Sequence, residues 1–242
     1  MEKARLIRYG RFQLQDFVIE RVIFVVVLSA LEIAAPMMAA RSLPPAQRIV
    51  AAGSPLGAQV AVLFTTLILM AVLFCSQEII SRQRKGGFYR FIFAKAVNPV
   101  AFYGQLFLVH LVATVLLVCL LASIFSIVAA PVAVGHIAFL TAIAFILFGG
   151  IGFLASAFMR FDSIVVIGAF GVSALGKMAA AQYGGFAPKL ANLLIPTDHL
   201  FALRPLIFGD PVHASDVAWV AGYGAAAIAL ALAGVRYRQL AD

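Results

Sequence analysis

The chain has 242 residues, of which 64% are hydrophobic and 12% are charged, and its formal net charge is +8. Soluble domains are roughly half apolar and about one quarter charged, so a water-soluble core of this length could not bury so much apolar surface. The composition excludes an ordinary soluble protein and predicts one all-α, polytopic membrane domain over residues 1–242. The basic residues lie in short segments beside apolar runs, so nucleic acid is not an expected partner.

Six apolar stretches are long enough to cross a bilayer. The predicted crossings cover residues 22–40, 56–79, 100–129, 134–159, 163–181 and 216–235. Before them, residues 1–21 mix basic and apolar residues and are predicted to form an amphipathic helix at the membrane surface. Residues 182–215 contain short apolar pieces broken by prolines and glycines, and are predicted to form interfacial or re-entrant helices on the extracytoplasmic side of the membrane.

Lys and Arg residues are unequally distributed between the two predicted sides of the membrane. Thirteen lie on the side of the termini and of residues 81–99, whereas four lie on the opposite side. Short loops rich in Lys and Arg stay in the cytoplasm. Both termini and the 81–99 loop are therefore predicted to be cytoplasmic, with the chain in the inner (plasma) membrane.

The loop between the second and third crossings carries a recognisable pattern. Glu78 is followed by a basic cluster, the glycine pair Gly86-Gly87 and an aromatic, amphipathic segment. Pro99-Val100 and Gly104-Gln105 come next, at the start of the third crossing. This order resembles the loop of type-2 ABC transporter (ABC exporter) permeases, where Gly-Thr or Gly-Ser stands at the first glycine position. Those permeases have Gly-Lys at the second position, where this chain has Gln105.

A second element of the same family is similar to residues 194–201, Leu-Ile-Pro-Thr-Asp-His-Leu-Phe, which are followed by Gly209 and the last crossing. The family pattern there is Leu-Ser-Pro-x-x-His-Phe, with a later glycine. Together with the N-terminal helix and the six-crossing plan, the two elements extend the resemblance over nearly the whole chain.

The resemblance implies that the chain is the permease subunit of an ATP-driven exporter. Two permease subunits, identical or different, would form the translocation pathway, and separate ABC ATPase subunits would bind from the cytoplasm and hold ATP and Mg²⁺. The loop after the second crossing would be a coupling helix that docks on the ATPase. Its candidate docking residues are Arg84, Lys85, Gly86, Gly87, Phe88, Tyr89, Arg90, Phe91 and Phe93. The alternative is a basic loop that only orients the chain.

The chain itself is predicted to be neither an enzyme nor a cofactor-binding protein. Residues 171–178, Gly-Val-Ser-Ala-Leu-Gly-Lys-Met, nearly match a phosphate-binding loop. Met178 replaces the Ser or Thr that would hold Mg²⁺, and no strand precedes the segment. The four histidines lie at different predicted depths without paired helical spacing, so no metal or haem site is expected.

Three ionisable residues lie inside predicted crossings: Glu32, His110 and Lys177. Ionisable groups in a membrane usually face the bundle interior or a water-filled route, so all three are candidates for the translocation pathway. The alternative is a protonated, hydrogen-bonded Glu32 and a Lys177 that extends to the outer interface. Glu32 also supports a rival function, an ion-coupled secondary transporter or channel. A membrane anchor without transport is a third possibility, and membrane lipid is a partner in every case.

Overall fold

The computed structural model describes residues 2–23, 25–27, 29–30, 33–34, 38, 54–77, 79–80, 98–159, 168, 171 and 196–238. Within these ranges the elements are helices, and no strand occurs among them. The α-helices are, in chain order, α1 (Glu2–Phe17), α2 (Pro55–Ser76), α3 (Pro99–Val128), α4 (Val134–Ala144), α5 (Gly150–Phe158), α6 (Thr197–Ala202) and α7 (Ala214–Arg238). The π-helical segment Val18–Val22 continues α1, the π-helical segment Phe145–Gly149 joins α4 to α5, and the 3-10 helix Arg204–Phe208 follows α6.

Four helical stretches are long and apolar enough to cross a membrane: Leu56–Ser76, Pro99–Val128, Val134–Phe158 and Ala214–Tyr237. They correspond to the second, third, fourth and sixth predicted crossings. The prediction of an all-helical membrane protein is confirmed to this extent. Of the first predicted crossing, 22–40, the structure describes residues 22–23, 25–27, 29–30, 33–34 and 38, and of the fifth, 163–181, it describes residues 168 and 171, so the number of six stays a prediction.

Two of the crossings begin with a capping side chain followed by proline. Ser54 Oγ accepts a hydrogen bond from the Gly57 amide at 2.9 Å, and Asn98 Oδ1 accepts one from the Val100 amide at 3.0 Å. A proline in the first helical turn has no N–H to satisfy, and its fixed φ suits the helix. The predicted 81–99 loop therefore ends at Asn98, because α3 begins at Pro99.

The exposed face of α3 is suited to lipid. Its exposed large apolar side chains recur every three or four residues: Leu108, Val112, Leu116, Leu120, Ile124 and Ile127. This spacing places them along one side of the helix. The helix has 30 residues, hence a length of about 45 Å, which exceeds the about 30 Å hydrocarbon core of a bilayer. Part of α3 therefore projects beyond the hydrocarbon.

Four hydroxyl groups within the described crossings donate hydrogen bonds to their own helices. Thr65, Thr114, Thr141 and Ser123 each donate to the carbonyl four residues earlier, at 2.6 to 2.8 Å. In the bilayer, where no water is present, a hydroxyl without a hydrogen-bond partner would destabilise the protein by on the order of several kcal/mol. These local bonds make the hydroxyls compatible with a bilayer.

Among the described helices, the most extensive contact joins α7 to α5 and to the π-helical segment before it. Gly224 of α7 lies against the backbone of Ile146, and a Cβ on Gly150 would lie only 2.7 Å from Gly224 O. Small residues at such positions allow two helix backbones to approach closely. The core beside this contact contains aromatic rings, with Phe107 centred 5.4 Å from Phe145 and 5.3 Å from Phe153.

Contacts between helix ends show which of these ends lie on the same side of the bundle. Arg21 contacts the last turn of α2, the Ile80 amide bonds to Ser156 near the end of α5, and Phe158 packs against Gly234 near the end of α7. The end of α1, the end of α2, the end of α5 and the end of α7 therefore belong to one half of the bundle. We call this half the basal end, and the opposite half the far end.

Candidate functional site at the base of the 81–97 connector

Helix α1 lies parallel to the first turns of α3. The ring of Tyr9 meets that of Phe102 edge-on at 5.9 Å, and the ring of Phe17 meets that of His110 edge-on at 5.2 Å. Gly10 lets the Gln105 side chain approach, since a Cβ there would lie 2.5 Å from Gln105 Nε2. The predicted N-terminal helix is thus present, and one face of it is packed on α3.

Another face of α1 and its continuation is apolar and exposed. Phe12 is 58% exposed, Ile19 is 60% exposed and Ile23 is 65% exposed. The spacing of seven and then four residues places these side chains on one stripe of a helix. An exposed apolar stripe on a helix that carries basic residues is typical of contact with a membrane interface. Its position at the bilayer surface stays a prediction.

Arg21 joins α1 to the end of α2. Its Nη1 donates to Phe74 O at 2.8 Å and its Nη2 donates to Gln77 O at 3.1 Å. The last carbonyls of a helix have no partner within the helix, and a cation there also meets the negative end of the helix dipole. The guanidinium therefore holds the point at which α2 ends and the connector begins.

A second bond fixes the short segment between α2 and the connector. Ile79 and Ile80 are buried, with exposed fractions of 3% and 0%. The Ile80 amide donates to Ser156 Oγ at 3.0 Å, and Ser156 is itself fully buried. The chain leaving α2 is thus attached to α5 before it enters residues 81–97. Its return is fixed by the Asn98 cap of α3.

One buried side chain beside this base is not satisfied. Gln13 is 7% exposed, and its amide oxygen and nitrogen have no hydrogen-bond partner among the described residues. It is on the same side of α1 as Gly10 and Phe17, which contact α3. A buried amide without partners costs about 1–3 kcal/mol.

The candidate docking residues themselves, from Arg84 to Phe93, lie outside the described part of the chain. So do Glu32 and Lys177. Of the three pathway candidates only His110 is described: its Nδ1 donates to Leu106 O at 2.9 Å, within α3, and its ring contacts Phe17. His110 therefore lies between α3 and α1, near the base of the connector, and its role in a pathway stays a prediction.

The second family-like element lies at the far end. Residues 182–195 are not described, but Pro196 leads into α6, and Gly209 with a φ of 84° ends the 3-10 helix in the left-handed region that favours glycine. Within α6, His199 Nδ1 lies 2.7 Å from Asp216 Oδ1 in the first turn of α7. The ring of His199 also meets that of Trp219 edge-on at 5.9 Å. This pair attaches the short helix to the last crossing.

Sequence analysis missed the residues that build the base. Arg21 was counted only as one of thirteen basic residues, and Ser156 was an unremarkable residue of a crossing. Their partners are 53 and 76 positions away along the chain. The Asn-Pro pair before α3 was the one local signal available, since it marks a helix start.

Comparisons with protein-family models, with curated proteins and with solved structures gave no match for this chain. Four helices of membrane-spanning length and composition indicate a membrane protein.

Proposed function

We propose that this chain is the membrane-spanning permease subunit of an ATP-driven exporter. In this proposal it pairs with a second permease subunit, identical or different, and its 81–97 connector docks on a separate ABC ATPase. Support comes from the two family-like sequence elements and from their order along the chain. The observation that carries the proposal is the attachment of the connector at both ends, to α1, α2 and α5 before it and to α3 after it.

The attachment of the connector at both ends would allow it to transmit a movement of a docked ATPase to the crossings. A movement of the connector would pull on α5 through the bond between Ile80 and Ser156, and on α1 through Arg21. It would also move α3 directly, since α3 starts where the connector ends. Transport proteins of this kind change state by small rigid-body movements of packed helices, and firm attachment lets one docked segment move several of them.

Charge supports the cytoplasmic placement of the connector in this proposal. The connector contains Arg82, Arg84, Lys85, Arg90 and Lys95. The last turn of α7, in the same half of the bundle, itself carries Arg236 and Arg238. With the positive-inside rule, the basal end faces the cytoplasm, where ATP is available.

Co-purification tests the proposal. The tagged chain is purified together with the product of any neighbouring ATPase gene, and the connector is changed by Phe88→Glu together with Phe91→Glu. We expect a stoichiometric ATPase with the parent chain and its loss with the double variant. Tyr237→Glu is the matched control, because this aromatic residue is 72% exposed and also lies near the basal end. A parent chain that purifies without any nucleotide-hydrolysing partner would sink the proposal.

Reconstitution separates the proposed exporter from the ion-coupled alternative. The chain is placed alone in vesicles with an imposed ion gradient, and Glu32→Gln is compared with the parent. Gradient-driven transport by the lone chain, abolished by Glu32→Gln, would favour the secondary transporter. If transport and coupled ATPase activity in the complex are unchanged by Glu32→Gln, the pathway role of this residue is wrong.

A further inference from the structure

An apolar cleft lies between the crossings and the two short helices of the far end. It is bounded by α2, α4, α6 and the 3-10 helix and has about 280 Å³ of empty space, including its open mouth. Its lining is apolar apart from one hydroxyl and one guanidinium: Thr65, Ile68, Leu69, Leu140, Ala144, Leu200, Phe201 and Arg204. Thr65 already donates to Ala61 O, so the cleft offers an apolar wall with a single cation.

The position of the cleft along the crossings places it within the hydrocarbon, from the far-end leaflet at Leu140 and Thr65 to about the middle of the bilayer at Leu69. Leu140 is six residues from the start of α4 and Thr65 is nine residues from Leu56. At 1.5 Å per residue these positions are about 9 Å and about 13 Å along their helices from the far end. The hydrocarbon of one leaflet is about 15 Å deep. The cleft is therefore at the depth of lipid acyl chains.

Arg204 supplies a positive charge at this cleft. Its guanidinium lies 4.3 Å from the centre of the Phe201 ring, and the residue is exposed. Among the described residues no carboxylate forms an ion pair with it, and the described ion pair at this end of the bundle joins His199 to Asp216. A guanidinium stacked on an aromatic ring keeps its donors free for an anion.

We infer that this cleft binds an anionic phospholipid from the far-end leaflet, with one acyl chain against the apolar wall and the phosphate at Arg204. An acyl chain matches the apolar lining and the depth, and phosphate matches the planar donors of arginine. A zwitterionic lipid presents the same chain but no net negative charge, so the cleft prefers the anionic lipid. The inference concerns binding alone, and does not require that an ATPase drives the chain.

Lipid binding near α6 can be measured by the fluorescence of Trp219. It is the one tryptophan in the sequence, and its ring contacts His199 of α6. The full chain is reconstituted in vesicles that contain phosphatidylglycerol or phosphatidylcholine with brominated acyl chains, which quench nearby tryptophan fluorescence. Stronger quenching by the brominated anionic lipid at equal mole fraction gives its relative binding constant near α6. We expect a preference of about five-fold, the effect of one basic residue at a membrane surface.

Two sets of variants decide the outcome, three at arginines and two at threonines. Arg204→Gln should remove the preference and Arg204→Lys should retain most of it, while Arg236→Gln, an exposed arginine at the basal end, should leave it unchanged. Thr65→Phe fills the cleft and should reduce the quenching, whereas the neighbouring Thr66→Phe, outside the cleft lining, should not. Size-exclusion profiles identify any variant that fails to fold.

An unchanged preference in folded Arg204→Gln overturns the inference. So does quenching by brominated phosphatidylglycerol that glycerol phosphate in solution relieves completely, because the guanidinium would then bind a free phosphate and not a lipid.

Discussion

Arg21 donates a hydrogen bond to the backbone oxygen of Phe74 across 53 positions of sequence. With its second bond, to Gln77 O, it satisfies partly buried carbonyls at the end of α2 that have no partner within the helix. The same side chain belongs to a helical segment that continues α1, which is packed on α3. One guanidinium thus connects three helices at the point where the connector begins.

Arg21→Gln should destabilise the chain by about 1–2 kcal/mol, because two charge-assisted hydrogen bonds to partly buried carbonyls are lost. Arg21→Lys should recover part of this, because an ammonium group reaches fewer acceptors than the planar guanidinium. The measurement is the thermal unfolding midpoint of purified protein in detergent. Arg11→Gln is the control, since Arg11 is exposed on the same helix. Equal midpoints for the variants at 21 and 11 would contradict the role given to Arg21.

Ser156→Ala should destabilise the chain by about 1–3 kcal/mol, because it leaves the buried Ile80 amide without an acceptor. In the proposed complex it should also reduce transport more than ATP hydrolysis, since α5 would follow the connector less firmly. Ser123→Ala is the matched control. Ser123 Oγ bonds only to Cys119 O of its own helix, so its removal leaves no donor unpaired. A neutral Ser156→Ala would show that the bond to Ile80 does not hold the connector.

Gly224→Ala should destabilise the bundle by about 1–3 kcal/mol through overpacking, since its methyl group would meet the backbone of Ile146. Gly222→Ala lies two residues away on α7, where a Cβ has nothing within 4 Å. That change should be neutral or stabilising by up to about 1 kcal/mol, from helix propensity alone. Unfolding midpoints of the two variants test the contact between α7 and α5 directly. The same midpoint for both would mean that the two helices are further apart than described.

Gln13→Leu should raise the unfolding midpoint, because it replaces a buried amide that lacks partners among the described residues with an apolar group of similar size. Gln15→Leu, at an exposed position of the same helix, should give no comparable gain. A lower midpoint for Gln13→Leu would indicate that the amide has a partner in the assembled protein. A second readout, ATPase retention in the proposed complex, would then show whether that partner involves the connector.

The crossings that the structure describes could be predicted to within about three residues, because their apolar length is a local property of the sequence. α2 was predicted as 56–79 and is Pro55–Ser76, and α3 was predicted as 100–129 and is Pro99–Val128. The π-helical segment inside the fourth crossing could not be predicted in the same way. It lies against α7 and α2, and such packing is not encoded in the hydropathy of Phe145–Gly149.

The sequence by itself determined that the chain belongs in a membrane. Its composition has more apolar residues than one soluble core could bury, and this comparison does not depend on which residues are in contact. It also determined where helices start, through Ser54-Pro55 and Asn98-Pro99. The tertiary structure alone decided that Arg21 closes the end of α2, that Ser156 holds Ile80, and that Arg204 lies beside an apolar cleft. These relationships join residues far apart in the chain. The sequence around an arginine or a serine does not show which distant residue it will contact, because that contact is made only when the helices pack.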